Sequence, residues 1–165
     1  MDTDHSIQIR RAKPDEAPEL TGIAIRAKQS NGYDDSFIEA CKDELTVSAT
    51  HIDHGEYWVA EQDTLCGFAS LVIGEESLVG ELHSFFINPE WQRRGIGKRL
   101  WLRIRRSAIS QGVGKIQLDS DPSAVAFYES IGFKTVASVP SGSIEGRFIP
   151  RMETHLSRCA QAMGS

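Results

Sequence analysis

A glycine-containing basic segment at residues 92–99 has the residue types and spacing best suited to binding a ligand. It reads Gln92-Arg93-Arg94-Gly95-Ile96-Gly97-Lys98-Arg99 and opens the longest helix that apolar periodicity predicts, from Gly95 to Gly112. Free backbone N–H groups at a helix N-terminus bind anions, and glycines let a phosphate approach the backbone closely. The segment predicts a pyrophosphate cradle, although glycines that serve only packing would produce the same pattern.

The distribution of charge also favours an anionic ligand at this place. Between Arg93 and Lys115 the chain has eight basic residues and no acidic one, whereas the whole chain has 18 basic and 23 acidic residues and a net charge of −5. A solvated helix face with no ligand would explain the charge alone equally well. Nucleic acid is disfavoured as a partner, because the acidic remainder of the chain would repel its phosphates.

Two other phosphate-binding motifs are excluded by single residues. A P-loop requires Ser or Thr directly after its lysine, but Lys98 is followed by Arg99. A dinucleotide-binding fingerprint requires a third glycine where this chain has Leu100.

The elements that must position this segment follow from periodicity and turn residues. Helices are predicted from Pro14 to Lys28, Ser36 to Val47, Gly95 to Gly112 and Ser123 to Ser130. Strands are predicted at Ser6–Arg11, Glu56–Glu61, Leu65–Ile73, Ser77–Ile87, Lys115–Ser120, Phe133–Val139 and Arg151–His155, with a mobile flap at Gly142–Pro150. An antiparallel run followed by a β-α-β unit predicts an α/β fold, with a mixed central sheet of six to seven strands and helices on both faces.

Length and composition predict one globular domain over residues 1–165, with its core at about 7–155. The charged N-terminus lacks the apolar region of a signal peptide, and the longest apolar stretch, Phe68 to Ile73, is too short to cross a bilayer. The three cysteines, Cys41, Cys66 and Cys159, have no metal-ligand spacing and suit a reducing compartment. We therefore expect a cytoplasmic protein without a metal or a membrane partner.

Three motifs together resemble the GNAT family of N-acetyltransferases. The run from Gln92 to Gly97 matches the family's Q/R-x-x-G-x-G/A motif, and the preceding strand, Gly80 to Pro89, is similar to its fourth strand. The run from Asp121 to Phe133 is similar to its N-x-x-A-x-x-F-Y-x-x-x-G-F segment. Asp121 replaces the usual asparagine, and a carboxylate can accept hydrogen bonds from pantetheine but cannot donate one.

The resemblance implies acetyl-CoA as co-substrate. Backbone amides after Gln92 would hold the pyrophosphate, the strand before it would offer backbone groups to pantetheine, and one N–H, at Phe85 or Phe86, would polarise the thioester carbonyl. The implied cofactor-binding residues are Phe85, Phe86, Ile87, Gln92, Arg93, Arg94, Gly95, Ile96, Gly97, Lys98, Arg99, Asp121 and Tyr128.

The same resemblance assigns the two proton transfers of the reaction. Tyr128 would protonate the departing CoA thiolate, unless it only packs its helix onto the sheet. Glu81 would remove a proton from the acceptor amine through water, unless it is an ordinary strand carboxylate. Expected acceptor-binding residues are Tyr33, Asp34, His83 and Arg147.

The expected activity is transfer of an acetyl group from acetyl-CoA to a small amine or a peptide amine by direct attack. The alternative is a non-catalytic acyl-CoA-binding regulatory module, and a nucleic-acid-binding protein is a third candidate. Oligomeric state, including a homodimer, stays open at this level.

Overall fold

The computed structural model describes residues 6–74 and 78–156, which contain seven strands and five α-helices. The strands are β1 (Gln8–Arg11), β2 (Glu56–Gln62), β3 (Thr64–Ile73), β4 (Val79–Ile87), β5 (Lys115–Asp119), β6 (Lys134–Pro140) and β7 (Phe148–His155). The helices are α1 (Ala17–Gln29), α2 (Asp35–Leu45), α3 (Ala49–His54), α4 (Ile96–Ser110) and α5 (Val125–Ser130). Three short 3₁₀ turns lie at Pro14–Glu16, Pro89–Trp91 and Pro122–Ala124.

The strands form one mixed sheet of seven strands in the order β1-β2-β3-β4-β5-β7-β6. β4 and β5 run parallel, whereas β1 with β2, β5 with β7 and β6 with β7 are antiparallel. This sheet confirms the predicted α/β fold and its strand number. The parallel β4–α4–β5 unit is the β-α-β crossover that the sequence predicted.

Residue contacts divide the chain into two compact units. Among the described residues, the first contains 6–70 and 84–100, and the second contains 71–74, 78–83 and 101–156. In the first unit the apolar stripe of α1, represented by Leu20 and Ile23, is fully buried. A separate cluster joins Cys66 with Ile96 and Leu100 at the start of α4.

The second unit has its own apolar core. Ile104 on α4, Ile116 on β5 and Met152 on β7 are completely buried. Phe133 lies edge-on to Trp101, with ring centroids 5.0 Å apart. Ile116 and Met152 come from the two paired strands of one antiparallel ladder, so burial of both contributes to the stability of the β5–β7 pair.

The element boundaries differ from the prediction at several places. The six-residue helix α3 was not predicted, and α4 ends at Ser110, two residues before Gly112. Phe148–Pro150 belongs to β7, so the prediction that the whole of Gly142–Pro150 is a mobile flap was wrong for its last three residues. Two predicted features, a strand start at Ser77 and the cysteine at Cys159, lie outside the described residues. Across the described ranges, no helix is long and apolar enough to span a bilayer.

Candidate functional site

The chain makes a sharp turn just before α4 that exposes a row of backbone amides. Arg93 and Gly95 both have left-handed backbone conformations, with φ of 66° and 79°. The carbonyl of Gly95 accepts the first helical hydrogen bond, from the amide of Arg99 at 3.2 Å. Among the hydrogen bonds outside helices and strands in the described residues, none is donated by a backbone amide of residues 93–98. Alternating left-handed residues before a helix form a concave anion-binding nest.

Gly95 leaves the surface of this nest open. A Cβ at Gly95 would meet no atom within 4 Å, but its φ of +79° is one that residues with side chains rarely adopt. Glycine therefore suits the backbone turn, and the space in front of it is open to a ligand.

Basic side chains surround this row of amides. Arg93, Lys98 and Arg99 are exposed, and the guanidinium of Arg94 lies 4.8 Å from the centroid of the Trp91 ring. Ile96 differs from them, because it is buried beside Leu100. The segment thus combines unbonded amides with cationic side chains, which fits the diphosphate of a nucleotide-containing cofactor.

The residues of β4 that precede this turn serve two different purposes. Burial alternates without a break from Gly80 to Ser84, which places Glu81 and His83 on the exposed side. The side chains of Phe85 and Ile87 pack against the cluster that contains Cys66. Side chains at residues 85 and 87 therefore fill the core, and their backbone is what the strand can offer to a ligand.

Tyr128 on α5 is buried within an aromatic group. Its ring lies edge-on to Phe127 and to Phe133, with centroids 5.3 Å and 5.7 Å away. Burial raises the pKa of the Tyr128 hydroxyl well above its ordinary value, and the negative charge of Asp121 raises that pKa further. Tyr128 is consequently protonated throughout the neutral and mildly alkaline range, the state that a proton donor needs.

Glu81 lies in a polar row that crosses the second unit. It is opposite Gln117 on β5, and Gln117 is in turn opposite Glu153 on β7. In the neighbouring row, Arg151 donates to both oxygens of Asp119, at 2.8 Å and 3.1 Å. These contacts raise the pKa of Arg151, to which the charge of Glu81 adds a smaller effect. Sequence reasoning missed this pair, since its members are 32 residues apart.

Asp121 and Arg147, predicted to contact cofactor and acceptor respectively, lie beside each other. The Nη2 atom of Arg147 is 3.8 Å from Oδ2 of Asp121. The other oxygen of Asp121 accepts the amide and the hydroxyl of Ser123, at 3.0 Å and 2.8 Å. Asp121 therefore caps the short turn at Pro122–Ala124 that leads into α5.

The predicted acceptor residues Tyr33 and Asp34 lie between α1 and α2. Tyr33 stacks on Phe37 at 4.0 Å, and the ammonium of the buried Lys28 is 5.3 Å from its ring centroid. Asp34 accepts the amide of Phe37 at 2.9 Å and so caps the N-terminus of α2. Lys28 was not predicted, because an isolated lysine near a helix end carries no signal in the sequence.

Nucleophilic and metal-binding groups are sparse in the described residues. Cys41 and Cys66 are buried in the first unit as thiols that form no disulfide, and burial raises the pKa of the Cys66 thiol. No cluster of three or more His, Cys, Asp or Glu side chains that would hold a metal ion occurs in residues 6–74 and 78–156.

Comparison with known proteins reveals a family match over most of the chain. The family model described as an acetyltransferase (GNAT) domain matches residues 16–154. An uncharacterised N-acetyltransferase of Prochlorococcus marinus is 33% identical over 69 residues, which cover 42% of this chain and 38% of that protein. Glucosamine 6-phosphate N-acetyltransferase of Trypanosoma brucei is 31% identical over 75 residues, which cover 42% of this chain and 51% of that protein. The chain thus spans about half or less of these relatives.

Solved structures show the same fold at lower sequence identity. The PaiA N-acetyltransferase of Thermoplasma acidophilum, solved in complex with coenzyme A, aligns with a TM-score of 0.73 and 22% identity over 91% of this chain and 99% of that chain. N-acetylglutamate synthase of Neisseria gonorrhoeae, solved with coenzyme A and N-acetyl-glutamate, aligns with a TM-score of 0.68 and 21% identity over 93% of this chain and 36% of that chain. At these identities the likeness supports the fold.

Proposed function

The chain belongs to the GNAT family of acetyltransferases, and from this membership we propose that it transfers an acetyl group from acetyl-CoA to a primary amine. The observation that carries the proposal is the row of unbonded amides at residues 93–98, with basic side chains around it. When bound, acetyl-CoA supplies the activated acyl thioester. Residues of this chain bind the donor, transfer the two protons and bind the acceptor.

The donor is held by two stretches of backbone in this proposal. The amides of residues 93–98 bind the pyrophosphate, and Gln92, Arg93, Arg94, Lys98 and Arg99 contribute polar and cationic side chains near it. The backbone of Phe85, Phe86 and Ile87 binds the pantetheine arm. Support for that second contact comes from the packing of Phe85 and Ile87, since their side chains are already committed to the core.

Tyr128 and Glu81 perform the two proton transfers. Tyr128 donates its proton to the CoA thiolate, and its raised pKa keeps the hydroxyl protonated at neutral pH. Glu81 is exposed and accepts a proton from the acceptor ammonium through water. An alkylamine has a pKa of about 10, so it must lose this proton before it attacks.

Tyr33, Asp34, His83 and Arg147 are proposed to contact the acceptor. The capping role of Asp34 in α2 uses one carboxylate oxygen, Oδ1. His83 lies two residues beyond Glu81 on the exposed side of β4. A small amine or a peptide amine as acceptor, a cytoplasmic location and a homodimer remain predictions.

A thiol-release assay with a panel of amines tests the activity. The panel contains polyamines, amino acids, aminosugars and peptides with free N-termini, each incubated with acetyl-CoA. Release of CoA thiol that depends on both enzyme and amine, and that is at least about tenfold slower in Tyr128→Phe, is the expected result. Acetyl-CoA binding without thiol release across the whole panel would favour the alternative, a non-catalytic acyl-CoA-binding module.

A further inference from the structure

One face of the sheet in the second unit is polar where β4, β5 and β7 lie side by side, and we call it the polar face. Side chains alternate along a strand, and residues opposite each other in paired strands point to the same side. Ile116, Leu118 and Met152 are buried on the other side. The central residues of the polar face are Glu81 and His83 on β4, Gln117 and Asp119 on β5, and Arg151 and Glu153 on β7.

β4 and β5 stop pairing in the middle of the polar face. Their last pair is Glu81 with Gln117, although β4 continues to Ile87 and β5 continues to Asp119. His83 on β4 is therefore beyond the last pair, as is Asp119 on β5. A ligand that binds along a strand needs backbone groups that no neighbouring strand occupies. The end of this pairing thus marks a place where a small molecule has access to the sheet.

The carboxylates of the polar face differ in how they are paired. Asp119 accepts two hydrogen bonds from Arg151, and Glu153 lies 3.2 Å from the ammonium of Lys115. Within residues 6–74 and 78–156, by contrast, the carboxylate of Glu81 forms no hydrogen bond or ion pair. The charge of Glu81 is consequently left to attract a cation, such as the ammonium group of an acceptor.

Arg151 is held in one orientation and still has donors to offer. Nε donates to Oδ1 of Asp119 at 2.8 Å, and Nη2 donates to Oδ2 at 3.1 Å. This arrangement leaves both hydrogens of Nη1 and one of Nη2, and Nη1 donates to no group in the described part of the chain. The side chain of Arg151 is 40% exposed, so solvent and ligands have access to it. A guanidinium presented in this way can bind a carboxylate through two parallel hydrogen bonds.

Glu81 and Arg151 are near enough for their charges to interact. The hydrogen bonds from Arg151 to Asp119 are the main cause of the raised pKa of Arg151, and the charge of Glu81 raises that pKa further. Arg151 is two strands across and two residues along from Glu81, which places their Cα atoms about 12 Å apart. Because both side chains are long, the gap between their charged ends is shorter, and one small molecule can contact both.

We propose that Arg151 determines the class of acceptor, by binding the carboxylate of a free amino acid whose amine lies beside Glu81. The inference rests on the proposed function, because it takes Glu81 to be the group that accepts the proton of the acceptor. A free amino acid matches the charges of the polar face, since Glu81 attracts its ammonium and Arg151 attracts its carboxylate. A polyamine has no group for the guanidinium of Arg151 to bind.

Thiol-release kinetics with matched pairs of acceptors test this proposal. Each common amino acid is compared with its α-carboxamide, which keeps the amine and the side chain but lacks the negative charge that Arg151 would bind. Spermidine and glucosamine serve as amines without a carboxylate. The wild type is expected to acetylate at least one amino acid with a kcat/KM at least about tenfold above that of its carboxamide and of the two other amines.

Arg151→Gln is expected to raise the KM for the preferred amino acid about 10- to 100-fold, because the variant loses two charge-assisted hydrogen bonds to the carboxylate. The KM for the carboxamide and the Kd for acetyl-CoA should stay near their wild-type values. A folding defect would instead impair both acceptors alike. Lys115→Gln is the matched control, since it removes a positive charge from another ion pair of the same face and should keep the wild-type preference.

Three results would overturn the inference while the proposed function stands. In the first, the wild type acetylates carboxamides, spermidine or glucosamine at least as well as any amino acid. In the second, Arg151→Gln has the same effect on the amino acid as on its carboxamide. In the third, Lys115→Gln weakens the preference as much as Arg151→Gln does, so that the total charge of the face is responsible. If no acceptor at all led to thiol release, the proposed function would be contradicted together with the inference.

Discussion

Gly67 on β3 faces the backbone of Phe86 on β4 so closely that no side chain fits between them. A Cβ at Gly67 would lie 2.9 Å from the carbonyl oxygen of Phe86 and 2.8 Å from Cδ1 of Ile87. Both distances are shorter than real Cβ contacts. The amide of Asn88 also donates to the carbonyl of Cys66 at 2.8 Å. The strand that we propose to bind pantetheine is thus positioned by close packing against β3.

Gly67→Ala is expected to push β4 away from β3, lowering the free energy of unfolding by about 1–3 kcal/mol and weakening acetyl-CoA binding. Urea denaturation and calorimetric titration measure the two effects. Gly114→Ala is the control, because a Cβ there would meet nothing within 4 Å. If Gly67→Ala and Gly114→Ala had the same free energy of unfolding and the same affinity for acetyl-CoA, the contact with Phe86 would not position the strand.

Gly95→Glu is expected to abolish binding of acetyl-CoA, since a side chain and a negative charge would occupy the space proposed for the pyrophosphate. Gly112→Glu is a closely matched control. Gly112 has a φ of +84°, similar to the +79° of Gly95. At Gly112, as at Gly95, an added Cβ would meet nothing within 4 Å. Both variants carry the same backbone strain and charge, so a comparable loss of affinity in both would contradict the amide cradle.

Tyr128→Phe is expected to lower kcat by about one to three orders of magnitude while the Kd for acetyl-CoA stays nearly the same. The variant keeps the aromatic packing against Phe133 and removes only the proton donor. Tyr57→Phe serves as the comparison, because Tyr57 is a second buried tyrosine whose pKa is raised by burial. If kcat of Tyr128→Phe equalled that of the wild type, the proton would come from another source.

Glu16→Gln is expected to make the protein less stable at neutral pH but not in acid. Arg10 donates to both oxygens of Glu16, at 2.7 Å and 3.2 Å, and this contact lowers the pKa of Glu16 in the folded protein. A lowered folded-state pKa contributes stability above the unfolded-state pKa, and that stability is lost as pH falls through the folded-state value.

Denaturation at two pH values measures this effect. At pH 7 the variant should lose about 1 kcal/mol, and the difference from the wild type should shrink well below pH 4. Glu19→Gln changes an exposed carboxylate on α1 and should show no such pH dependence. A constant difference between Glu16→Gln and the wild type at both pH values would rule out the ion pair as its cause.

Much of the fold could be predicted from the sequence, because long elements carry strong periodic signals. The stripe that includes Ile96, Leu100 and Ile104 predicted α4, and all three residues are buried. The six-residue helix α3 has a single buried apolar residue, Ile52, and one residue cannot show the apolar periodicity of a helix. Short helices of this kind are fixed by caps, here by the side chain of Ser48, rather than by an apolar stripe.

The candidate site was predictable where its residues are close in sequence. The amide row at residues 93–98 was expected from two glycines at the start of a helix, although the left-handed conformation of Arg93 could not be foreseen for a residue with a side chain. Asp121 and Arg147 are 26 residues apart in the sequence. Their proximity depends on the pairing of β5 with β7, which a single sequence does not show. The buried position of Lys28 beside Tyr33 likewise results from how α1 and α2 pack.

Calorimetric titration of the wild-type protein with acetyl-CoA tests the central claim most directly, because it needs no knowledge of the acceptor. We expect saturable one-to-one binding, weakened by salt because the phosphates meet cationic side chains, and lost in Gly95→Glu. An absence of binding at concentrations up to the millimolar range would contradict the assignment of residues 93–98 as a cofactor cradle, and with it the proposed acetyl transfer.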